Sequence, residues 1–169
     1  MLRAPSSFKL HSHLAFVALI LTVVLTGPAL AAEPLAAVEG PNGVRFEITE
    51  LSRGECALTL QGRLVNEGTS MYSAINALTD PAIERRDPRH NPNAMSGVYV
   101  VDQEAGKRAG PLFSDAGACL CSDSLGFVQA GESQPVFAKF PLPEGSASEL
   151  DVVLPGFLPA EGVPIGEGS

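Results

Sequence analysis

From Val44 onward the chain alternates apolar and polar side chains, with Val44, Phe46 and Ile48 on one side and Arg45, Glu47 and Thr49 on the other. That period of two predicts a half-buried strand, and a one-residue shift near its end brings Leu51 onto the same apolar face. After a turn at residues 52–55, Cys56, Leu58, Leu60 and Leu64 share a face against Thr59, Gln61 and Arg63, which predicts a second strand ended by Asn66, Glu67 and Gly68. Residues 95–101, 125–130, 135–140 and 150–154 continue the pattern, most clearly where Val136, Ala138 and Phe140 alternate with Phe137 and Lys139, and residues 155–157 and 163–165 close the chain with apolar contacts. Residues 102–110 read as a hairpin connection. Residues 71–78 fit either a short helix with Met71, Ile75 and Leu78 on one face or an irregular strand, with Pro81 close behind. No stretch carries a sustained helical stripe. About seven short strands, each apolar on one side only, predict an all-β fold in which two sheets cover each other as a β-sandwich, with a small barrel as the competing architecture.

Ahead of these strands lies a different pattern. Arg3 and Lys9 precede an uncharged apolar run at residues 14–26, then Gly27 and Pro28 break it before Ala29, Leu30 and Ala31. This is the layout of a secretory signal peptide over residues 1–31, cleaved after Ala31 or Ala32 where small side chains meet the peptidase requirement. The run is short for a bilayer crossing, no later segment is apolar enough to try, and no cysteine lies near the cleavage point. The expected product is secreted or extracytoplasmic, without membrane insertion after cleavage. It comprises a flexible segment at 32–42, a sandwich domain at 43–165 and a disordered tail at 166–169.

The chain carries 19 acidic against 11 basic side chains, a net charge of −8, and loss of Arg3 and Lys9 with the leader makes it more negative still. Such a surface repels nucleic acid and anionic headgroups, and with no tryptophan and two tyrosines there is little to stack bases on. Residues 79–93 form the expected exposed loop, with three prolines and a dense mix of charges. Arg85, Arg86, Arg89 and His90 in it contrast in sign with the rest, which makes them the preferred interaction loop.

Three cysteines remain. In an oxidising compartment the arithmetic is one bridge and one leftover thiol among Cys56, Cys119 and Cys121. The preferred pairing joins Cys56, placed on an apolar strand face, to Cys119 or Cys121; closing a loop of about 60 residues contributes roughly 2 to 4 kcal/mol. The alternative joins Cys119 to Cys121 and leaves Cys56 as a buried small hydrophobe. A further reading of the same residues is a soft-metal or small-ligand site, with Met71, Met95 and His90 as possible helpers. Thioredoxin-type exchange lacks its two-residue spacer and strand–helix context.

Hydrolytic chemistry finds little to work with. His90 is the one histidine after the expected leader and sits in a polar loop, which leaves no rigid catalytic triad. Asp102 with Glu104, and Glu149 with Asp151, read as solvent-facing pairs on an acidic surface. Phosphate-loop, zinc-protease and calcium-loop motifs are absent from the sequence, so no cofactor or metal is expected.

Cys119, Leu120, Cys121 and Ser122, the strand Val136 to Phe140 followed by Pro141 and Pro143, and the closing segments 153–157 and 163–165 resemble a group of uncharacterised actinobacterial secreted or envelope-associated proteins. Some of these carry their β-sandwich beside an OmpA-like domain. The layout also resembles the immunoglobulin-like secreted antigens related to MPT63. The resemblance covers roughly residues 46–165 and implies an immunoglobulin-like β-sandwich and an actinobacterial source; it implies no catalytic residue. Two functions are carried forward: a non-enzymatic binding or interaction module whose partner is a protein or envelope polymer, and a small-ligand or soft-metal carrier using the Cys119/Cys121 region.

Overall fold

The computed structural model of the chain describes residues 33–75, 77–80, 82 and 91–168. The expected leader and the interaction loop at Arg85, Arg86, Arg89 and His90 lie outside the described residues. Eleven strands are found among those described: β1 (Ala36–Glu39), β2 (Val44–Arg53), β3 (Leu58–Asn66), β4 (Tyr72–Ser73), β5 (Tyr99–Asp102), β6 (Lys107–Ala109), β7 (Phe127–Val128), β8 (Ser133–Phe140), β9 (Glu149–Val153), β10 (Ala160–Pro164) and β11 (Gly166–Glu167). Several have only two to four residues, too short for periodicity in sequence to register, which is why about seven were expected.

The strongest alternation builds the larger sheet. β1, β2, β3 and β8 lie side by side, all antiparallel, and β11 adds a parallel pairing to the far end of β2. Val44, Phe46, Ile48 and Leu51 are fully buried. Ile48 pairs with Gly62 and Glu50 with Gln61, so Thr49 is an extra residue bulged out of the ladder. This is the one-residue shift that keeps Leu51 inside. Gly62 has no room for a side chain: a Cβ there would stand 2.5 Å from the Glu47 carbonyl oxygen and 2.9 Å from the Phe46 ring.

Both ends differ from expectation. Residues of the segment expected to be flexible form β1, with Leu35 N–H donating to Ile48 C=O at 2.7 Å, and the expected disordered tail forms β11, with Gly168 N–H donating to Arg53 C=O at 3.0 Å. Each covers half of the outer edge of β2. Backbone hydrogen bonds to that edge order segments whose side chains carry almost no apolar signal.

The second sheet runs β10, β9, β5, β6, all antiparallel. Val100, Leu150, Val152 and Val163 are buried and join Phe46, Leu60 and Phe140 of the first sheet in one apolar core. Phe157, which follows β9, meets Phe46 edge to face with ring centres 6.4 Å apart. The protein is therefore all-β, with two open sheets sharing a core. Asp102, read from sequence as solvent-facing, is nearly buried, because its carboxylate turns back to accept the Ala105 N–H at 2.9 Å and closes the β5–β6 hairpin.

β4 and β7 form a separate two-stranded pair in which Tyr72 opposes Val128. Within residues 71–78, Tyr72 and Ser73 form a two-residue strand, with Tyr72 pointing inward while Met71 is exposed. The strand expected from Met95 begins at Tyr99, because Met95 and Gly97 spend their N–H groups on Ser122 and Leu78 rather than on a neighbouring strand ladder.

Candidate functional site

The outer edge of β8 is extended by residues that the strand pattern did not predict. Ser122 N–H donates to Phe137 C=O at 2.9 Å, Lys139 N–H donates to Leu120 C=O at 2.8 Å, and Cys121 pairs with Ala138 across an isolated bridge. The Ser122 hydroxyl accepts the Phe137 N–H at 2.9 Å. Leu112 N–H donates to Lys139 C=O, Leu120 N–H donates to Leu112 C=O, and Phe113 pairs with Cys119. A tight turn at 114–118 links these two stretches, with Ser114 N–H bonded to Ala118 C=O at 2.8 Å. The result is a small flap along β8.

Two-residue periodicity then decides what the flap shows to solvent. Cys121 and Ala138 face the core, so Leu120 and Phe137, one residue along on each, face outward. Leu120 is 38% exposed, Phe137 43% and Phe113 37%, three large apolar side chains on one edge of one sheet. Gln61 pairs with Phe137 and Thr59 with Lys139, so polar groups border the apolar ones.

Cys119 and Cys121 form a disulfide with their Cα atoms 5.2 Å apart, within the usual span for such bridges, and Cys56 is free and exposed. This corrects the preferred pairing of Cys56 with Cys119 or Cys121, and also the placement of Cys56 on an apolar face. The ladder of β3 begins only at Leu58; Cys56 lies in the turn before it, where Gly54 N–H bonds to Ala57 C=O at 2.9 Å. Alternation extrapolated two residues past the strand end put the thiol on the wrong side. In the bridged state Cys119 and Cys121 have no thiolate to offer a soft ion. Met95 is buried and Met71 exposed, so the methionines do not share an environment. Among the described residues no three His, Cys, Asp or Glu side chains gather as a metal site, and no helix is long and apolar enough to cross a membrane.

On the same outer face, nearer β2, sits a charge cluster that sequence reasoning missed. Glu47 is 5% exposed and accepts from Arg45 Nη2 and Arg63 Nε, each at 2.5 Å, while Arg45 also reaches Glu67 at 2.9 Å. Burial alone would raise the Glu47 carboxyl pKa; the hydrogen bonds from Arg63 and Arg45 outweigh it and hold the group below its ordinary value. The Arg45 guanidinium is correspondingly raised, first by its hydrogen bond to Glu47. Alternation marked these residues as outward-facing, but only the cross-strand register brings Arg63 opposite Glu47.

Cavities are small. One of about 210 Å³ lies between the β5–β6 hairpin and residues 141–144, with Val100, Leu142 and Leu150 as apolar wall and Lys107, Arg108 and Glu144 at its rim. Lys107 is paired with Glu144, and the Arg108 guanidinium lies 5.1 Å from the centre of the Tyr99 ring. A cavity of about 130 Å³ borders Cys119, Ala116 and Asp123. Both fall below the usual range of about 300 to 1,000 Å³ for drug-sized ligands. Comparison with known protein families, with curated proteins and with solved structures finds no match.

Proposed function

We propose that the chain is a secreted, non-enzymatic binding module with an immunoglobulin-like β-sandwich, which contacts a partner protein or envelope polymer through the edge of the larger sheet around Phe113, Leu120 and Phe137. The observation that carries this reading is the set of three exposed apolar side chains along one sheet edge, Phe113 and Leu120 on the hydrogen-bonded flap and Phe137 on β8 beside it. Apolar groups fixed on a rigid frame lose little freedom on binding, which is what an interaction surface requires. The leader-like pattern at residues 1–31 supports export, and Arg85, Arg86, Arg89 and His90 join the reading through their charge in sequence alone. The small-ligand or soft-metal alternative centres on the Cys119/Cys121 region, where the adjoining cavity of about 130 Å³ suits a fragment rather than a whole metabolite.

The test compares retention of secreted-fraction proteins and envelope polymers by the immobilised protein, by a Leu120→Ser/Phe137→Ser variant and by Leu158→Ser. Among the described residues Leu158 is the most exposed large apolar one, at 64%, and its N–H bonds to Glu39 in β1, at the other edge of the sheet. The reading predicts a component kept by the protein and by Leu158→Ser but lost by the double variant. Equal retention by all three would remove this edge as the contact surface.

A further inference from the structure

We propose that the Cys119–Cys121 disulfide is a reactive bridge that exchanges with a dithiol on a partner polypeptide. This goes beyond docking and does not depend on it, since a small dithiol reaches the same sulfur.

The first argument is what the bridge does not do. A link across one intervening residue restrains the unfolded chain far less than a long-range one. Both cysteines are also placed by the backbone already: Cys121 by its pairing with Ala138, Cys119 by its pairing with Phe113, and the stretch between them by bonds from Leu120 and Lys139. Opening the bridge leaves that ladder in place. The fold therefore gains little from it, and its chemistry becomes the distinguishing property.

The second argument is access. Cys121 is 3% exposed, whereas Cys119 is only partly buried. The cavity of about 130 Å³ is bordered by Cys119, Gly117 and Asn91 and does not include Cys121. A nucleophile must approach along the sulfur–sulfur axis, and of the two cysteines it is Cys119 that borders this opening. Phe113, exposed and paired with Cys119 across the isolated bridge, gives an incoming peptide an apolar side chain to lie against.

The step balances as follows. A partner thiolate attacks Cys119 Sγ, the bond to Cys121 breaks, and its electron pair leaves on Cys121 Sγ, which takes up a proton. The partner's second thiol then attacks the partner sulfur of the mixed disulfide and releases Cys119, which is protonated in turn. Two electrons and two protons pass from the partner dithiol, which becomes a disulfide, to Cys119 and Cys121. Cys56 takes no part: β3 and β8 separate its turn from the flap.

The experiment uses the full protein purified from the secreted fraction, without denaturant. It is titrated with dithiothreitol, and separately with a reduced peptide bearing two cysteines and apolar flanks, then alkylated and weighed. The proposal predicts that Cys119 and Cys121 become alkylatable with the far-ultraviolet spectrum unchanged, and that one equivalent of peptide is oxidised. Cys56→Ser should behave the same way, and a Cys119→Ser/Cys121→Ser variant should leave the peptide reduced. Phe113→Ser should slow the peptide reaction while leaving that with dithiothreitol intact; an unslowed peptide counts against Phe113 as the docking residue and leaves the exchange standing. A bridge that opens only in denaturant, or a peptide oxidised equally by the double cysteine variant, would overturn the proposal.

Discussion

The side-chain amide of Asn66 donates a hydrogen bond of 2.8 Å to the carbonyl of Val128, joining the end of β3 to β7 across 62 residues of sequence. The same amide donates to Ser70 C=O at 2.9 Å, and its oxygen accepts from Gly68 N–H at 3.0 Å. Asn66 is fully buried, so water does not replace these partners. Asn66→Ala removes three bonds and strands the Val128 carbonyl, whose bond to Asn66 is buried, while exposed Ser70 can turn to water. The expected cost is about 2 to 3 kcal/mol, read as a lower midpoint in urea with unchanged slope. A midpoint equal to that of the parent would contradict the role of Asn66 as the tie between these segments.

Glu47 makes stability depend on pH. Its folded pKa lies below the ordinary 4.5, so its contribution is present above that value and is lost as pH falls through the lower folded pKa. Glu47→Gln should therefore be less stable than the parent near neutral pH, by about 1 to 3 kcal/mol, because the negative charge is lost and one of the two arginines faces an amide NH2 in place of an acceptor oxygen. Below the ordinary carboxylate range the parent's own Glu47 becomes neutral and the two curves should converge. Urea midpoints measured from pH 7 down to pH 3 check this; a gap that stays constant would show that no titration of Glu47 is involved.

Gly62 tests the tight passage between β2 and β3. A methyl group there meets the Glu47 carbonyl and the Phe46 ring at distances that real Cβ atoms essentially never show. Gly62→Ala should destabilise by about 1 to 3 kcal/mol despite the usual benefit of alanine over glycine in a strand. Gly126, where an added Cβ meets nothing within 4 Å, supplies the control in a thermal melt.

Much of the architecture was legible where strands are long. β2, β3, β8 and β9 followed from alternation, and even the bulge at Thr49 left a trace as the shift that carries Leu51 inward. The outward direction of Phe137, central to the candidate site, was readable in the same way. What was not legible depends on pairing. Strands β1 and β11 are set by the free edge of β2, the flap at 119–122 by backbone bonds to β8, and the burial of Glu47 by two arginines whose positions only the register supplies. The cysteine connectivity failed for a related reason: alternation says which side a residue takes within a strand, but not where the strand stops, and Cys56 falls just beyond the end.

The flap sets Cys119 beside Cys121 and leaves Cys56 beyond the end of β3, and mapping the cysteines in the native protein tests that placement most directly. After alkylation without reduction and trypsin digestion, the account predicts modification at Cys56 alone. Cys119 and Cys121 should appear linked within the single peptide that ends at Lys139, lighter by two hydrogens than its reduced form. A peptide cross-linked between Cys56 and either Cys119 or Cys121 would contradict the flap, the surface it presents and the exchange chemistry together.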